Sequence, residues 1–227
     1  MSLVTFDKLS LTFGKHCIFD NFNYQIQIGE KLALLGGSGL GKSSLLKLLS
    51  GVYQPTSGRV NCQAKRIGYI FQEPRLLPWL TVEQNLRQAL TPLSISKSEQ
   101  LKRIQDILDK VRLADFAHAY PRQLSGGMAQ RVALALAFII EPDLLLLDEP
   151  LSALDPVLKQ QLTGFIEQYL SRHQPALIYV SHSPEDVLPL VDKCLLLKKN
   201  QPPKLHSVTN IAEAEHIIHL FNQTEDL

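Results

Sequence analysis

At 227 residues the chain is long enough to bury a full core, as one large α/β domain or as one domain with a lobe. An apolar fraction of 45% excludes a disordered chain, and 23 basic against 22 acidic residues leave a net charge of +1, which offers no electrostatic ground for binding nucleic acid. Cys17, Cys62 and Cys194 are scattered, odd in number and without metal-ligand spacing, so they read as buried or half-buried thiols of a reducing compartment.

The opening MSLVTFDKLS has no basic stretch leading into an apolar core, so no signal peptide is expected. The longest apolar runs, 132–140 and 144–147, are too short to span a bilayer. A cytoplasmic location is expected, with any work at a membrane done through another chain.

In chain order, Val4, Phe6 and Leu9 alternate, then Tyr24, Ile26 and Ile28, as strands with one buried face. Gly29-Glu30 turns into an apolar strand, Lys31–Leu35, followed by Gly36-Gly37-Ser38-Gly39-Leu40-Gly41-Lys42-Ser43 and a helical run over 44–49. That stretch fits GxxxxGK[ST] in the strand–loop–helix context the pattern requires. Its glycines let several backbone N–H groups turn toward one anion, and the helix N-terminus adds partial positive charge. Lys42 can reach the β- and γ-phosphates of a nucleotide, and the Ser43 hydroxyl can ligate Mg²⁺.

A loop over 51–58, punctuated by Pro55 and Gly58, precedes a strand over 66–71 that ends at Gln72. Pro74, Pro78 and Trp79 break the pattern; helices over Val82–Leu90 and Lys97–Lys110 and a short stretch near Leu113 make 74–124 a mostly helical insert. Ser125 caps a helix through Met128, Val132, Leu136 and Ile139 that continues to about 140. The leucines at 144–147 lack polar alternation, as in the middle of a parallel sheet. A helix over 158–170 and strands over 176–180 and 192–197 complete a layered α/β core. The tail, 198–227, begins polar and carries a short amphipathic helix over 211–221.

A phosphate loop needs a second element to hold Mg²⁺ and to orient water. Asp148, ending the leucine strand, can hold Mg²⁺ through its waters, and Glu149 can accept a proton from the attacking water. Taken without the phosphate loop, the same pair is an acidic turn closed by Pro150. Gln72 is either a solvated loop amide or a Mg²⁺ ligand that senses the γ-phosphate. His182, after the 176–180 strand, is either a surface or core histidine or a donor to the γ-phosphate. Leu124-Ser125-Gly126-Gly127-Met128-Ala129-Gln130-Arg131 sets a hydroxyl and two glycines at a helix start, a second anion-binding arrangement. One nucleotide does not need both. Two copies head to tail resolve this, each phosphate loop facing the other copy's Ser125 segment across ATP.

Together these residues resemble the ATP-binding subunits of ABC transporters over essentially the whole length. The resemblance makes Gly36 to Ser43 the Walker A motif, with Ser44 beside it, Gln72 the Q-loop, Leu124 to Arg131 the signature, and 144–148 the Walker B motif with Glu149 its catalytic glutamate. It makes Ser152-Ala153-Leu154-Asp155 the D-loop, His182 the switch histidine, and Phe13 an aromatic that stacks on adenine; Phe13 is otherwise a core residue. The implied fold is a P-loop NTPase core with an N-terminal antiparallel β layer and a helical subdomain. The implied activity is ATP hydrolysis with Mg²⁺ by a nucleotide-sandwich dimer, two copies or one copy with a closely similar subunit, that drives transport. The implied partners are a transmembrane permease docking near Gln72 to Trp79 and the helical insert, and a separate solute-binding protein. Leu77 and Trp79 serve that docking, anchor the insert to the core, or do both.

The stretch from Gln72 to Asn85 is similar to the branch serving nitrate, sulfonate, taurine and thiamine-precursor importers, so import is the expected direction. Ser183 replaces the usual Asp after the histidine and is expected to cap a helix. Ser44 stands for a more usual Thr and Gly37 for a frequent Pro, and no long C-terminal regulatory domain is expected. The competing readings are a soluble ABC-type ATPase of translation or repair, and an ATP-gated clamp that barely hydrolyses; the first lacks a heptad run here and Glu149 argues against the second.

Overall fold

The computed structural model describes residues 1–14, 16–152, 154–199 and 201–225. Its strands are β1 (Ser2–Phe13), β2 (His16–Gln27), β3 (Lys31–Leu35), β4 (Ser57–Cys62), β5 (Ile67–Ile70), β6 (Leu144–Asp148), β7 (Ala176–Ser181), β8 (Lys193–Leu196) and β9 (Lys204–Ser207). Its helices are α1 (Lys42–Leu49), α2 (Val82–Leu90), α3 (Lys97–Lys110), α4 (Gly126–Ile139), α5 (Pro156–His173), α6 (Pro184–Val187) and α7 (Ile211–Glu225). The described residues form two compact units: Met1–Lys65, Leu144–Asp148 and Pro175–Leu227 in one, Arg66–Asp143 and Glu149–Gln174 in the other. Residues 74–124 fall inside the second. Ala153, within the expected D-loop, lies outside the described residues.

In the first unit, β2, β1 and β4 form an antiparallel sheet in that order. Val4, Phe6 and Leu9 are all buried although the last step is three residues, because the ladder shifts register between Phe6 and Leu9 and Lys8 takes a φ of 48°. A bulge of this kind returns the next apolar side chain to the same face. Two expectations are corrected here. Ile28 is 65% exposed, because β2 stops at Gln27 and the alternation ends with it. Residues 57 and 58, read as loop, open β4; its polar sequence SGRVNC hides a strand created by pairing with β1, Phe6 opposite Val60 and Val4 opposite Cys62.

The second sheet of this unit runs β6, β7, β3 and β8 in parallel, with β9 antiparallel on β8. Every residue of β6 and β7 is buried, as the unbroken leucine run requires. β9, in a tail expected to be helical beyond its polar start, is an exposed edge strand that owes its form to β8. Glu30, 8% exposed, fixes the turn before β3: the Tyr24 hydroxyl donates to its carboxylate at 2.7 Å, and Lys193 Nζ lies 3.1 Å away. Parallel pairing brings Leu35, Asp148 and Ser181 to one carboxyl edge, since Leu35 pairs with Ser181 and Asp148 with Val180.

In the second unit α2, α3 and α4 pack on one another and α4 packs on β5. Thr81 and Gln84 close a capping box at α2, and the Ser96 hydroxyl caps α3 by accepting from Glu99 N at 3.2 Å. Arg131 Nη1 donates to the carbonyls of Val111 and Arg112, both at 3.0 Å, tying α4 to the end of α3. α5 runs longer than 158–170 because Asp155 caps it, Pro156 suits its first position, and it ends only where Gln174 turns left-handed at φ 49°.

Candidate nucleotide site

The loop between β3 and α1 is shaped by two glycines. At Gly36 a Cβ would stand 2.6 Å from the Leu197 carbonyl oxygen. At Gly41 φ is +88° and a Cβ would stand 2.1 Å from Ile18 Cγ2, so a side chain fails on both conformation and space. Gly41 caps α1 without a side-chain hydrogen bond, and no acidic residue occupies the first turn, which leaves that end electropositive. Lys42, 6% exposed, donates from Nζ to the carbonyls of Gly36 at 2.6 Å and Gly37 at 2.8 Å. The ammonium is thus held in the bend of its own loop, between Gly36 and the exposed Ser38 and Gly39; Leu40 and Ser44 are half-buried beside them.

The Ser43 hydroxyl donates to Asp148 Oδ1 at 2.9 Å, across 105 residues of sequence. Asp148 is 3% exposed, and burial pushes its carboxyl pKa above the ordinary carboxylate range, against the Ser43 hydrogen bond and the charges of Lys47, Lys42 and His182. A desolvated carboxylate beside a hydroxyl is a hard oxygen pair whose burial a divalent cation would offset, so the pair fits Mg²⁺. Among the described residues no group of three or more His, Cys, Asp and Glu could hold a metal, so a cation here would need other oxygen ligands besides this pair.

His182 is exposed just past β7, within the electrostatic reach of Asp148. Ser183 does not cap the following helix with its side chain, contrary to expectation. The Asp186 N–H goes to the Ser183 backbone carbonyl instead, at 3.1 Å, and the Ser181 hydroxyl accepts from Ser183 N at 2.9 Å. Phe13 is 44% exposed, which removes it from the core, and its ring meets Tyr53 edge-on at 5.4 Å between centroids. Tyr53, with Lys47 Nζ 5.3 Å from its ring centre, belongs to no motif and was not legible as a brace. A cavity of about 970 Å³ touches the loop at Ser38, Gly39 and Leu40, while Lys42, Ser43 and Asp148 do not line it.

The first unit thus brings together Lys42, Ser43, Asp148 and His182. Gln72, Glu149, Ser125, Gly126, Gly127 and Asp155 belong to the second. Gln72 is exposed beyond β5. Glu149 has a φ of 52°, and its carbonyl accepts from Ser152 N at 3.3 Å and Ser152 Oγ at 3.1 Å. The Ser125 hydroxyl caps α4 by accepting from Met128 N at 3.2 Å, and both Ser125 and Gly126 are exposed, with open space where a Gly126 side chain would stand. Asp155 caps α5 by accepting from Leu158 N at 3.0 Å. Gln130, which the motif reading gave no role, is buried and donates to the Pro150 carbonyl at 3.1 Å.

A family model described as ABC transporter matches residues 19–152. The aliphatic sulfonates import ATP-binding protein SsuB 2 of Pseudomonas syringae pv. tomato is 40% identical over 82% of this chain and 78% of its own. The corresponding SsuB of Bacillus subtilis is 35% identical over 94% and 90%, and a probable sulfate/thiosulfate import ATP-binding protein of Chlorella vulgaris is 34% identical over 92% and 93%. Among solved structures, a dimeric post-hydrolysis state of an ATP-binding cassette bound to ADP and Pi superposes with a TM-score of 0.83 at 25% identity, covering 92% of this chain and all of that one.

Proposed function

The chain belongs to the ABC transporter family, as an ATP-binding and ATP-hydrolysing subunit, and from that premise we propose that two copies close head to tail on ATP and Mg²⁺ to drive import through a separate permease. The observation that carries this reading is the 2.9 Å bond from Ser43 to Asp148, which joins the first turn of α1 to the end of β6 at the loop where Lys42 waits. On phosphate arrival Lys42 exchanges its two carbonyl partners for the β- and γ-phosphates. Ser43 and Asp148 would hold Mg²⁺, with the Gln72 amide proposed as a further ligand, and the ion would supply neutralisation of phosphate charge. Phe13 presents a ring face to adenine. Glu149 takes the proton of the attacking water, and His182 donates to the γ-phosphate.

Ser125, Gly126 and Gly127 of the other copy complete the site with a hydroxyl and backbone N–H groups, and Asp155 lines the same junction. The dimeric solved cassette supports this arrangement, and the relatives named for sulfonate and sulfate import support the direction. No helix among the described residues is long and apolar enough to cross a membrane. In the proposed assembly a permease holds the chain at the cytoplasmic face, docking near Gln72 to Trp79 and the helical insert. A separate solute-binding protein and the permease select the solute.

Glu149→Gln tests the reading. It keeps the shape and removes the proton acceptor, so ATP should bind as before while turnover falls roughly 10²-fold or more. The variant should then elute as an ATP-bound dimer in size-exclusion chromatography. Turnover at the wild-type rate would reassign water activation, with His182 the next candidate.

A further inference from the structure

Gln130 lies on α4 between a half-buried first turn and the buried apolar run Val132 to Ala135, and it is itself only 3% exposed. A carboxamide in such a position is costly unless hydrogen-bonded. Its Nε2 donates to the Pro150 carbonyl at 3.1 Å, across 20 residues. Pro150 directly follows Glu149, a non-glycine residue held at a left-handed φ of 52°. A left-handed φ is disfavoured for such a residue and persists only where the surroundings impose it. Two restraints do so here. Ser152 donates from N at 3.3 Å and from Oγ at 3.1 Å to the Glu149 carbonyl, and Gln130 donates to the next carbonyl along. Pro150 stiffens the link, because its ring fixes φ.

We infer that Gln130 is a positioning residue for ATP hydrolysis, holding the Glu149 turn in its left-handed form through the Pro150 carbonyl. The inference rests on the assignment of Glu149 as proton acceptor.

Gln130→Met keeps the length and removes the donor. We expect kcat to fall about tenfold, the loss of roughly one buried hydrogen bond, while ATP affinity measured with a fluorescent analogue stays within about twofold. Single-turnover rates separate positioning from simple loss of packing. Adding Gln130→Met to Glu149→Gln should slow hydrolysis no further, because the residue acts through a group already removed. Gln130→Asn, whose amide falls one methylene short of Pro150, is the milder companion should the Met variant not fold, with the same kcat-only loss expected. An unchanged kcat in the folded variant overturns the inference, as does an equal loss in the presence and absence of Glu149. Full turnover in Glu149→Gln would overturn both the inference and the assignment beneath it, whereas loss in Glu149→Gln with none at position 130 overturns the inference alone.

Discussion

Lys42 and Asp148 are charged side chains at 6% and 3% exposure, and each is held by a polar group from elsewhere in the site: backbone carbonyls for the first, the Ser43 hydroxyl for the second. Isolated in an apolar interior either charge would be prohibitive, so partners of this kind, and ligands that replace them, are what permit the burial. The same desolvation separates the cysteines. Cys194 on β8 is fully buried and its thiol is pushed up to about 12, whereas Cys17 is exposed and Cys62 half-buried. Because the thiolate is the reactive form, a maleimide added at pH 8 should modify Cys17 first, Cys62 more slowly, and Cys194 only after denaturation. Labelling followed by peptide mass mapping checks this; early modification of Cys194 would mean that β8 opens in the native protein.

Between α2 and the turn before it, one carboxamide does the work of a local scaffold. Asn85, 4% exposed, accepts from Leu77 N at 2.8 Å and donates from Nδ2 toward the carbonyls of Leu77, Leu80 and Thr81 at 3.2, 3.1 and 2.9 Å. The loop so pinned leaves Trp79 69% exposed, while Leu77 is half-buried. Asn85→Ala leaves several of these backbone groups without their partner and should destabilise the protein by about 1–3 kcal/mol. Trp79 is the chain's one tryptophan, so its fluorescence reports on this loop alone. Its emission should be red-shifted and quenched by acrylamide in the isolated protein, its anisotropy should drop in Asn85→Ala, and binding of the proposed permease should shift it blue. A blue, unquenched Trp79 in the isolated chain would place it in an interior instead.

For the whole molecule the decisive question is how many chains make one site. Ser125→Arg should leave ATP binding by a single chain nearly intact yet block closure, because its bulk and charge enter the place reserved for the other copy's nucleotide. Lys42→Ala should greatly weaken nucleotide binding. When the two variants are mixed, the proposed dimer puts both lesions on one composite site, with Ser125 of one chain facing Lys42 of the other. The second site keeps a native Lys42 and a native Ser125. If one intact site suffices for hydrolysis, the mixture should exceed the sum of the separate variants once heterodimers are confirmed by pull-down; a rate no higher than that sum would argue for completion within one chain.

What could be read from the amino-acid order alone was whatever is encoded over a few neighbouring residues. Gly36 to Ser43 carries its own turn chemistry, Ser125 its own cap, and the leucines before Asp148 the buried strand that delivers it to a sheet edge. The family and its fold followed from these, because each motif bends or caps its own stretch of backbone and needs no distant partner to be recognised. Only the tertiary structure could decide features made by two distant stretches at once. β4 and β9 are polar edge strands that exist through their neighbours β1 and β8. Tyr53 braces Phe13, the Ser43 hydroxyl finds Asp148 across 105 residues, and Gln130 reaches Pro150 across 20. A hydrogen bond or ring contact is directional and short-ranged, so its partner is chosen by where the fold brings the chain back, and no local pattern of residue types records that choice.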